Sequence, residues 1–172
     1  PPNRRVPVET LRWVTEQFRG WTRPGETEPF IKKLSVATWY REPDYAPNYR
    51  ELWQLEQELS DPGEARRFEL LSIWRLARDE GYARWARTVG TEACQVTLFG
   101  LEETTDYFTR RPGYFRDALL ATERLLEAGI RPRWQIFLTE PGLPELPALE
   151  ELIASLRLEE RVRALGGEFA VF

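Results

Sequence analysis

Apolar residues recur at helical spacing in several segments of the chain. Leucines three to four residues apart predict a helix over residues 49–59. A longer apolar stripe predicts a helix over residues 114–128, where Pro112 stands ahead of the first turn and Gly129 follows the last. The same spacing predicts further helices over residues 8–19, 79–89 and 144–156.

Short stretches rich in leucine, β-branched and aromatic residues alternate with these helices. Regular alternation of helix and strand with short connections favours a parallel sheet, either doubly wound or closed into a barrel. Residues 1–172 are therefore predicted to form a single α/β domain. Its five predicted strands, each preceded by a helix, cover residues 30–39, 68–76, 93–99, 131–138 and 168–172.

The composition is consistent with one domain and restricts the partners. The chain has 172 residues, of which 42% are hydrophobic, and this is enough for one sizeable core. A net charge of −4 argues against general binding to nucleic-acid phosphates. No apolar run approaches the roughly 20 residues that cross a bilayer, and no signal-peptide pattern opens the chain. We therefore expect a soluble, cytoplasmic protein with neither a nucleic-acid nor a membrane partner.

The scarcity of histidine and cysteine excludes several kinds of catalysis. The chain contains no histidine and one cysteine, Cys94. These counts exclude Ser-His-Asp and Cys-His catalysis, histidine-ligated metal sites and an intrachain disulfide. Cys94 is predicted to be a small buried residue, because the sequence displays no base that would activate its thiol. Glycine-rich phosphate loops and nucleophile-elbow motifs are also missing from the sequence.

Polar side chains alternate with apolar ones along two of the predicted strands. Gln95 and Thr97 lie on one strand, and Arg133 and Gln135 lie on the next. Parallel strands are usually buried on both faces, so these side chains need internal hydrogen-bond partners or a ligand. An internal polar network and a ligand site both remain open. Polar residues also stand at two other predicted strand ends, namely Tyr40, Arg41 and Glu42 at one and Ser72 and Arg75 at the other.

The segment Arg110-Arg111-Pro112-Gly113 stands directly before the helix predicted over 114–128. Two arginines beside the N-terminus of a helix suit an anion, because the first backbone N–H groups of a helix are unpaired. The alternative is a solvated loop with no ligand, and the residues leave both interpretations open.

A series of segments in the second half of the chain matches one enzyme family. CQVTLFG at 94–100, an acidic loop and YFTRRPGYF at 107–115 are followed by LLEAGI at 125–130 and LPEL at 143–146. In this order they resemble the fourth strand of the radical S-adenosylmethionine (SAM) enzymes, the helix after it and the next strand and helix. Earlier in the chain, YREP at 40–43 stands where that family has Gly-Gly-Glu-Pro, with both glycines replaced.

The resemblance implies a partial, TIM-like (βα)6 barrel of parallel strands that lacks its first strand. In the family, a CxxxCxxC loop after that strand binds a [4Fe–4S] cluster, and here the loop would end just before Pro1. Because Cys94 is the sole cysteine, the chain as given is expected to be an N-terminally truncated piece that cannot hold the cluster by itself.

The resemblance also implies a reaction. With the missing segment, the enzyme would bind SAM and generate a 5′-deoxyadenosyl radical that abstracts hydrogen from a substrate. That substrate, a small molecule or a peptide, is not identified by the sequence. An electron donor such as flavodoxin or ferredoxin would be a partner of the complete enzyme.

Individual residues take roles from the same resemblance. Glu42 would accept a hydrogen bond from the SAM amino group, with Tyr40 and Arg41 beside it. Thr97 corresponds to a family serine near the ribose, and Gln135 corresponds to a family asparagine. From their positions on the predicted strands, three more residues are expected to line the barrel mouth and contact the SAM carboxylate or the substrate, namely Ser72, Arg75 and Arg133.

Two other interpretations of the sequence remain open. A degenerate, cluster-free barrel would serve as a non-enzymatic binding or scaffold module. An unrelated α/β enzyme would use carboxylates such as Glu42 and Glu140 for acid–base chemistry.

Overall fold

The computed structural model describes residues 6–36, 48–63 and 70–172 of the chain. They form a mixed α/β structure with a small parallel sheet. The chain divides into two compact units, Pro1–Arg66 and Arg67–Phe172.

In its described residues, the first unit contains two helices, α1 over Val8–Gly20 and α2 over Tyr49–Leu59. Helix α2 buries one apolar face, which includes Trp53 and Leu59, as its spacing of apolar residues predicts. Arg19 of α1 donates a hydrogen bond to the carbonyl oxygen of Leu59 at 2.6 Å, and this bond uses one of the carbonyls that a helix end leaves unpaired.

The strand predicted over residues 30–39 does not form in its described part, residues 30–36. The backbone there pairs with the end of α2 instead of with a sheet. The Leu34 N–H donates to Asp61 Oδ2 at 2.7 Å, and the Asp61 N–H donates back to the Leu34 carbonyl at 2.9 Å. The Val36 N–H donates to Ser60 Oγ at 2.9 Å. Side chains therefore supply the hydrogen bonds that a neighbouring strand would supply in a sheet.

The second unit contains six helices in its described part, together with a short 3-10 turn over Leu143–Glu145. Helix α6 lies at its centre and packs against α3, α5 and the sheet. The helices are α3 over Ile73–Arg78, α4 over Tyr82–Thr88, α5 over Glu102–Thr109, α6 over Tyr114–Glu127, α7 over Leu146–Ser155 and α8 over Leu158–Ala164.

The sheet consists of two parallel strands, β1 over Ala93–Leu98 and β2 over Arg131–Ile136. Both strands are where the sequence predicts them, each shorter by one or two residues. The end of the chain runs beside β2, where Val171 forms a parallel bridge to Trp134. A strand is predicted over residues 168–172, and the structure shows only this bridge in that described segment.

A segment predicted as a strand, residues 68–76, is helical in part. Helix α3 begins at Ile73, and its first turn is capped by Ser72, whose Oγ accepts a hydrogen bond from the Arg75 N–H at 3.2 Å. The prediction is wrong here because a short apolar run fits a buried helix as well as a buried strand. Residues 68 and 69 lie outside the described residues.

Helix α6 covers one face of the sheet. Val96, Leu98 and Trp134 point to that face and are fully buried, each with 0% of its surface exposed. The Trp134 indole N–H donates to Thr122 Oγ1 of α6 at 3.1 Å, so its polar atom is satisfied inside the core. In the part of the chain that the structure describes, no helix is long and apolar enough to cross a membrane.

Candidate functional site

The face of the sheet opposite α6 carries the polar residues. Successive side chains of a strand point to opposite faces, so Gln95 and Thr97 of β1 share a face with Arg133 and Gln135 of β2. All four are half-buried, whereas the residues between them are buried against α6 or within the sheet, except for the half-buried Ile136 at the end of β2. The sheet thus separates an apolar side from a polar side.

The register places the four polar residues in two rows. Gln95 lies beside Arg133, and Thr97 lies beside Gln135. The Gln95 side-chain amide donates to Gln135 Oε1, and this bond ties the two strands together diagonally. The Arg133 guanidinium carbon lies 5.8 Å from the centre of the Phe172 ring. The amides and the Thr97 hydroxyl present both donors and acceptors, which suit neutral polar groups such as sugar hydroxyls.

Three phenylalanines cluster at the C-terminal ends of the two strands. Phe99 follows β1 and Phe137 follows β2, and their rings stack with centroids 5.2 Å apart. Phe108 of α5 stacks on Phe99 at 5.3 Å. The polar face therefore ends in an aromatic layer, and Phe137 is 46% exposed. Flat apolar ligands stack on such layers.

Glu145 joins the turns that follow the two strands. It lies in the 3-10 turn after β2, and its Oε2 accepts a hydrogen bond from the Leu101 N–H at 2.6 Å. Its Oε1 accepts a hydrogen bond from Thr104 Oγ1 at 2.8 Å. Leu101 and Thr104 belong to the turn after β1 and to the first residues of α5. A carboxylate at this position also satisfies the unpaired N-terminal end of that helix.

Two glycines allow the turns to approach one another. Gly100 has φ 153°, and a Cβ atom at this position would overlap Glu145 Oε2 and press on the Thr104 side chain. A Cβ atom at Gly142 would overlap the carbonyl oxygen of Phe99. Glycine is therefore required at both positions for the turns to pack as they do.

The N-terminus of α6 is occupied by a side chain of the same chain. Asp106 Oδ1 accepts a hydrogen bond from the Phe115 N–H at 2.9 Å, and Oδ2 accepts one from the Gly113 N–H. This carboxylate fills the position that the segment 110–113 suggested for an external anion. Sequence analysis missed both Asp106 and Glu145, because each acts on residues 7 to 44 positions away.

The structure brings some of the predicted site residues together and separates others. Thr97, Gln135 and Arg133 lie on one face of the sheet, as predicted. Ser72 and Arg75 were expected at a strand end, and this expectation is wrong, because they form the first turn of helix α3. The remaining predicted residues, Tyr40, Arg41 and Glu42, lie outside the described residues.

The residues of this chain do not fit a [4Fe–4S] cluster. The cluster needs three cysteine thiolates, and the 172 residues contain one cysteine. Cys94 is fully buried on the α6 side of β1, as predicted for a small core residue. Among the described residues, no group of three or more His, Cys, Asp or Glu side chains is placed to hold a metal ion.

Comparisons with known proteins identified no relative of this chain. No family model, no curated protein and no solved structure matches its sequence or fold.

Proposed function

We propose that this chain is the SAM-binding part of a radical SAM core, built as a partial, TIM-like (βα)6 barrel. The observation that carries the proposal is the two-sided sheet. Two adjacent parallel strands bury apolar residues under α6 on one face and hold half-buried polar residues on the other. In a barrel of this kind, helices cover the outer face and the ligand binds at the C-terminal ends of the strands.

Thr97 and Gln135 are assigned to the nucleoside half of SAM. They lie side by side in the register of β1 and β2, two residues before the stacked Phe99 and Phe137. Hydroxyl and amide groups bind ribose hydroxyls, and the phenyl rings offer an apolar surface beside them. Arg133 lies one row further from the strand ends, and we assign it to an anionic group of SAM or of the substrate.

Other parts of the proposal rest on the resemblance alone. Glu42 would bind the SAM amino group, with Tyr40 and Arg41 close by. The cysteines for the [4Fe–4S] cluster would come from outside these 172 residues, since Cys94 is the sole cysteine. An electron donor such as flavodoxin or ferredoxin, an unidentified small-molecule or peptide substrate and a cytoplasmic location belong to the same proposal.

The second candidate is a cluster-free binding or scaffold module on the same barrel. The observation that favours it is the single, fully buried cysteine. The polar face of the sheet would then bind a nucleoside-containing ligand without any metal centre.

Two measurements on the full natural protein that contains this chain separate the candidates. The first is the coding sequence upstream of Pro1, where the radical SAM proposal requires CxxxCxxC. The second is the dissociation constant for SAM after anaerobic treatment with iron and sulfide. Thr97→Val removes one hydroxyl with little change of shape, and we expect it to weaken SAM binding roughly fivefold to tenfold.

Thr88→Val is the matched control, because Thr88 is an exposed residue of α4 away from the sheet face. It should leave the affinity unchanged. SAM binding without upstream cysteines would support the second candidate. A full protein that binds no SAM, with or without iron and sulfide, contradicts both the enzyme proposal and the assignment of the polar face to SAM.

A further inference from the structure

We infer that Glu145 is a positioning residue for SAM binding, holding the ends of β1 and β2 in the arrangement that the ligand requires. This inference rests on the proposed function. Glu145 itself does not lie on the polar face of the sheet, and it would act through the two turns that its carboxylate joins.

Glu145 connects the ends of both strands through its hydrogen bonds. Its carboxylate follows β2 in the chain and binds Leu101, three residues after the end of β1, and Thr104 in the first turn of α5. The Phe99 N–H donates to Thr105 Oγ1 at 3.0 Å, so the residue that ends the polar face is fixed to the same helix. A shift of α5 relative to β2 therefore displaces Phe99 from Phe137 and changes the width of the site.

The charge of the Glu145 carboxylate strengthens both of its contacts. One oxygen receives a backbone N–H and the other receives a hydroxyl. An amide at this position could still accept from the Leu101 N–H and donate to the Thr104 hydroxyl, but both hydrogen bonds would then be neutral and weaker. Glu145→Gln also removes the charge that favours the N-terminus of α5.

Gly100 provides an independent way to disturb the same contact. A Cβ atom at Gly100 would overlap the Glu145 carboxylate oxygen that binds the Leu101 N–H. Gly100→Ala should therefore weaken SAM binding by the same route as Glu145→Gln. Because both changes weaken the same contact, the double variant should bind SAM little more weakly than either single variant.

The test measures two quantities in the full natural protein. The first is the dissociation constant for SAM, which we expect Glu145→Gln to raise roughly tenfold. The second is hydrogen exchange at the Leu101 amide, which should become faster in the same variant. Glu145→Asp keeps the charge but has a shorter side chain, and we expect it to recover part of the affinity.

Two controls separate positioning from general destabilisation. Glu151→Gln removes an exposed carboxylate from α7, the helix that follows Glu145, and should change neither quantity. Val162→Ala opens a cavity in α8, which carries no predicted site residue, and lowers stability without touching the turns. It should leave the affinity for SAM unchanged at a temperature where the protein is folded.

The outcomes distinguish this inference from the proposed function. If the unmodified protein does not bind SAM, the proposed function fails and the inference fails with it. If the unmodified protein binds SAM and Glu145→Gln binds it equally well, the inference alone is overturned. The same holds if Val162→Ala weakens SAM binding as much as Glu145→Gln does, since Glu145 would then act only through stability.

Discussion

At the scale of single residues, Asp106 shows how one carboxylate can replace a ligand. The segment 110–113 carries two arginines before a helix and looks suited to an anion. In the structure, Asp106 accepts hydrogen bonds from the N–H groups of Gly113 and Phe115, which are the groups that an anion would need. The positive end of α6 is thereby used for stability.

Asp106→Ala is expected to lower the free energy of unfolding by about 1–2 kcal/mol, the usual cost of losing a helix cap. Asp106→Asn keeps one acceptor oxygen, so its free energy of unfolding should fall by less than that of Asp106→Ala. Urea unfolding measures both variants. Glu151→Gln is the control, because Glu151 is exposed in the middle of α7, away from a helix end. Equal stability of Asp106→Ala and Glu151→Gln would mean that the cap contributes nothing.

A second residue-scale prediction concerns the buried hydrogen bond between Trp134 and Thr122. Both residues have 0% of their surface exposed, and the Thr122 hydroxyl also donates to the Ala118 carbonyl at 2.9 Å. Thr122→Val keeps the shape but leaves the indole N–H without its acceptor, and we expect a loss of about 1–3 kcal/mol in the free energy of unfolding. Thr122→Ser keeps the hydroxyl and should show that the acceptor matters more than the methyl group. If Thr122→Ser destabilises the protein more than Thr122→Val, packing dominates and the prediction is wrong.

At the scale of elements, an ion pair connects α6 to α8. Both terminal nitrogens of the Arg161 guanidinium donate to the Glu123 carboxylate, at 2.7 and 2.6 Å. This hydrogen bonding holds the pKa of Glu123 below its ordinary value of 4.5. A carboxyl whose pKa is lowered by folding stabilises the protein above its unfolded pKa, and this contribution disappears as the pH falls through the folded pKa.

Glu123→Gln should therefore be less stable than the unmodified protein at neutral pH. The difference in the free energy of unfolding should shrink as the pH falls below 4.5. Urea unfolding at a series of pH values measures the difference. Glu150→Gln, on the exposed side of α7, should show no comparable trend. A difference that does not depend on pH would contradict the assigned role of the carboxylate charge.

Helices α2 and α6 and strands β1 and β2 are predicted correctly, and each buries a clear apolar set with a single periodicity. Helix α1 is also predicted within one residue of its bounds, although its one buried residue is Thr15. Helices α5 and α8 are missed, because the first is mostly polar and the second has seven residues. Their stability comes from contacts with distant residues, such as Glu145 and Glu123, that no local pattern contains.

The residues of the candidate site also include some that the local sequence pattern predicts and others that it does not. The alternation along β1 and β2 is enough to predict that Thr97, Arg133 and Gln135 share one face. Ser72 and Arg75 are misplaced because their segment has the composition of a strand, whereas the Ser72 side chain caps a helix. Glu145 cannot be predicted, since its partners lie 41 and 44 residues earlier in the chain.

At the scale of the whole molecule, the proposal requires Glu42 and Gln135 to bind different parts of one ligand. Glu42 is assigned to the amino group of SAM, and Gln135 to its nucleoside. 5′-Methylthioadenosine has the nucleoside and lacks the amino acid, so it separates the two roles. Glu42→Gln should weaken SAM binding roughly tenfold and leave 5′-methylthioadenosine binding unchanged, because a charge-assisted hydrogen bond is lost to SAM alone.

Gln135→Ala should lower the affinity of the full natural protein for SAM and for 5′-methylthioadenosine by a similar factor. Equilibrium dialysis measures both affinities. Gln57→Ala, an exposed change on α2, serves as the control for both ligands. If Glu42→Gln lowers the affinity for both ligands equally, Glu42 supports the folded structure and does not bind the amino group. If Gln135→Ala affects neither ligand, the polar face of the sheet does not bind the nucleoside. A ligand-dependent split between the two variants is the result that the assignment of Glu42 to the amino group and of Gln135 to the nucleoside predicts.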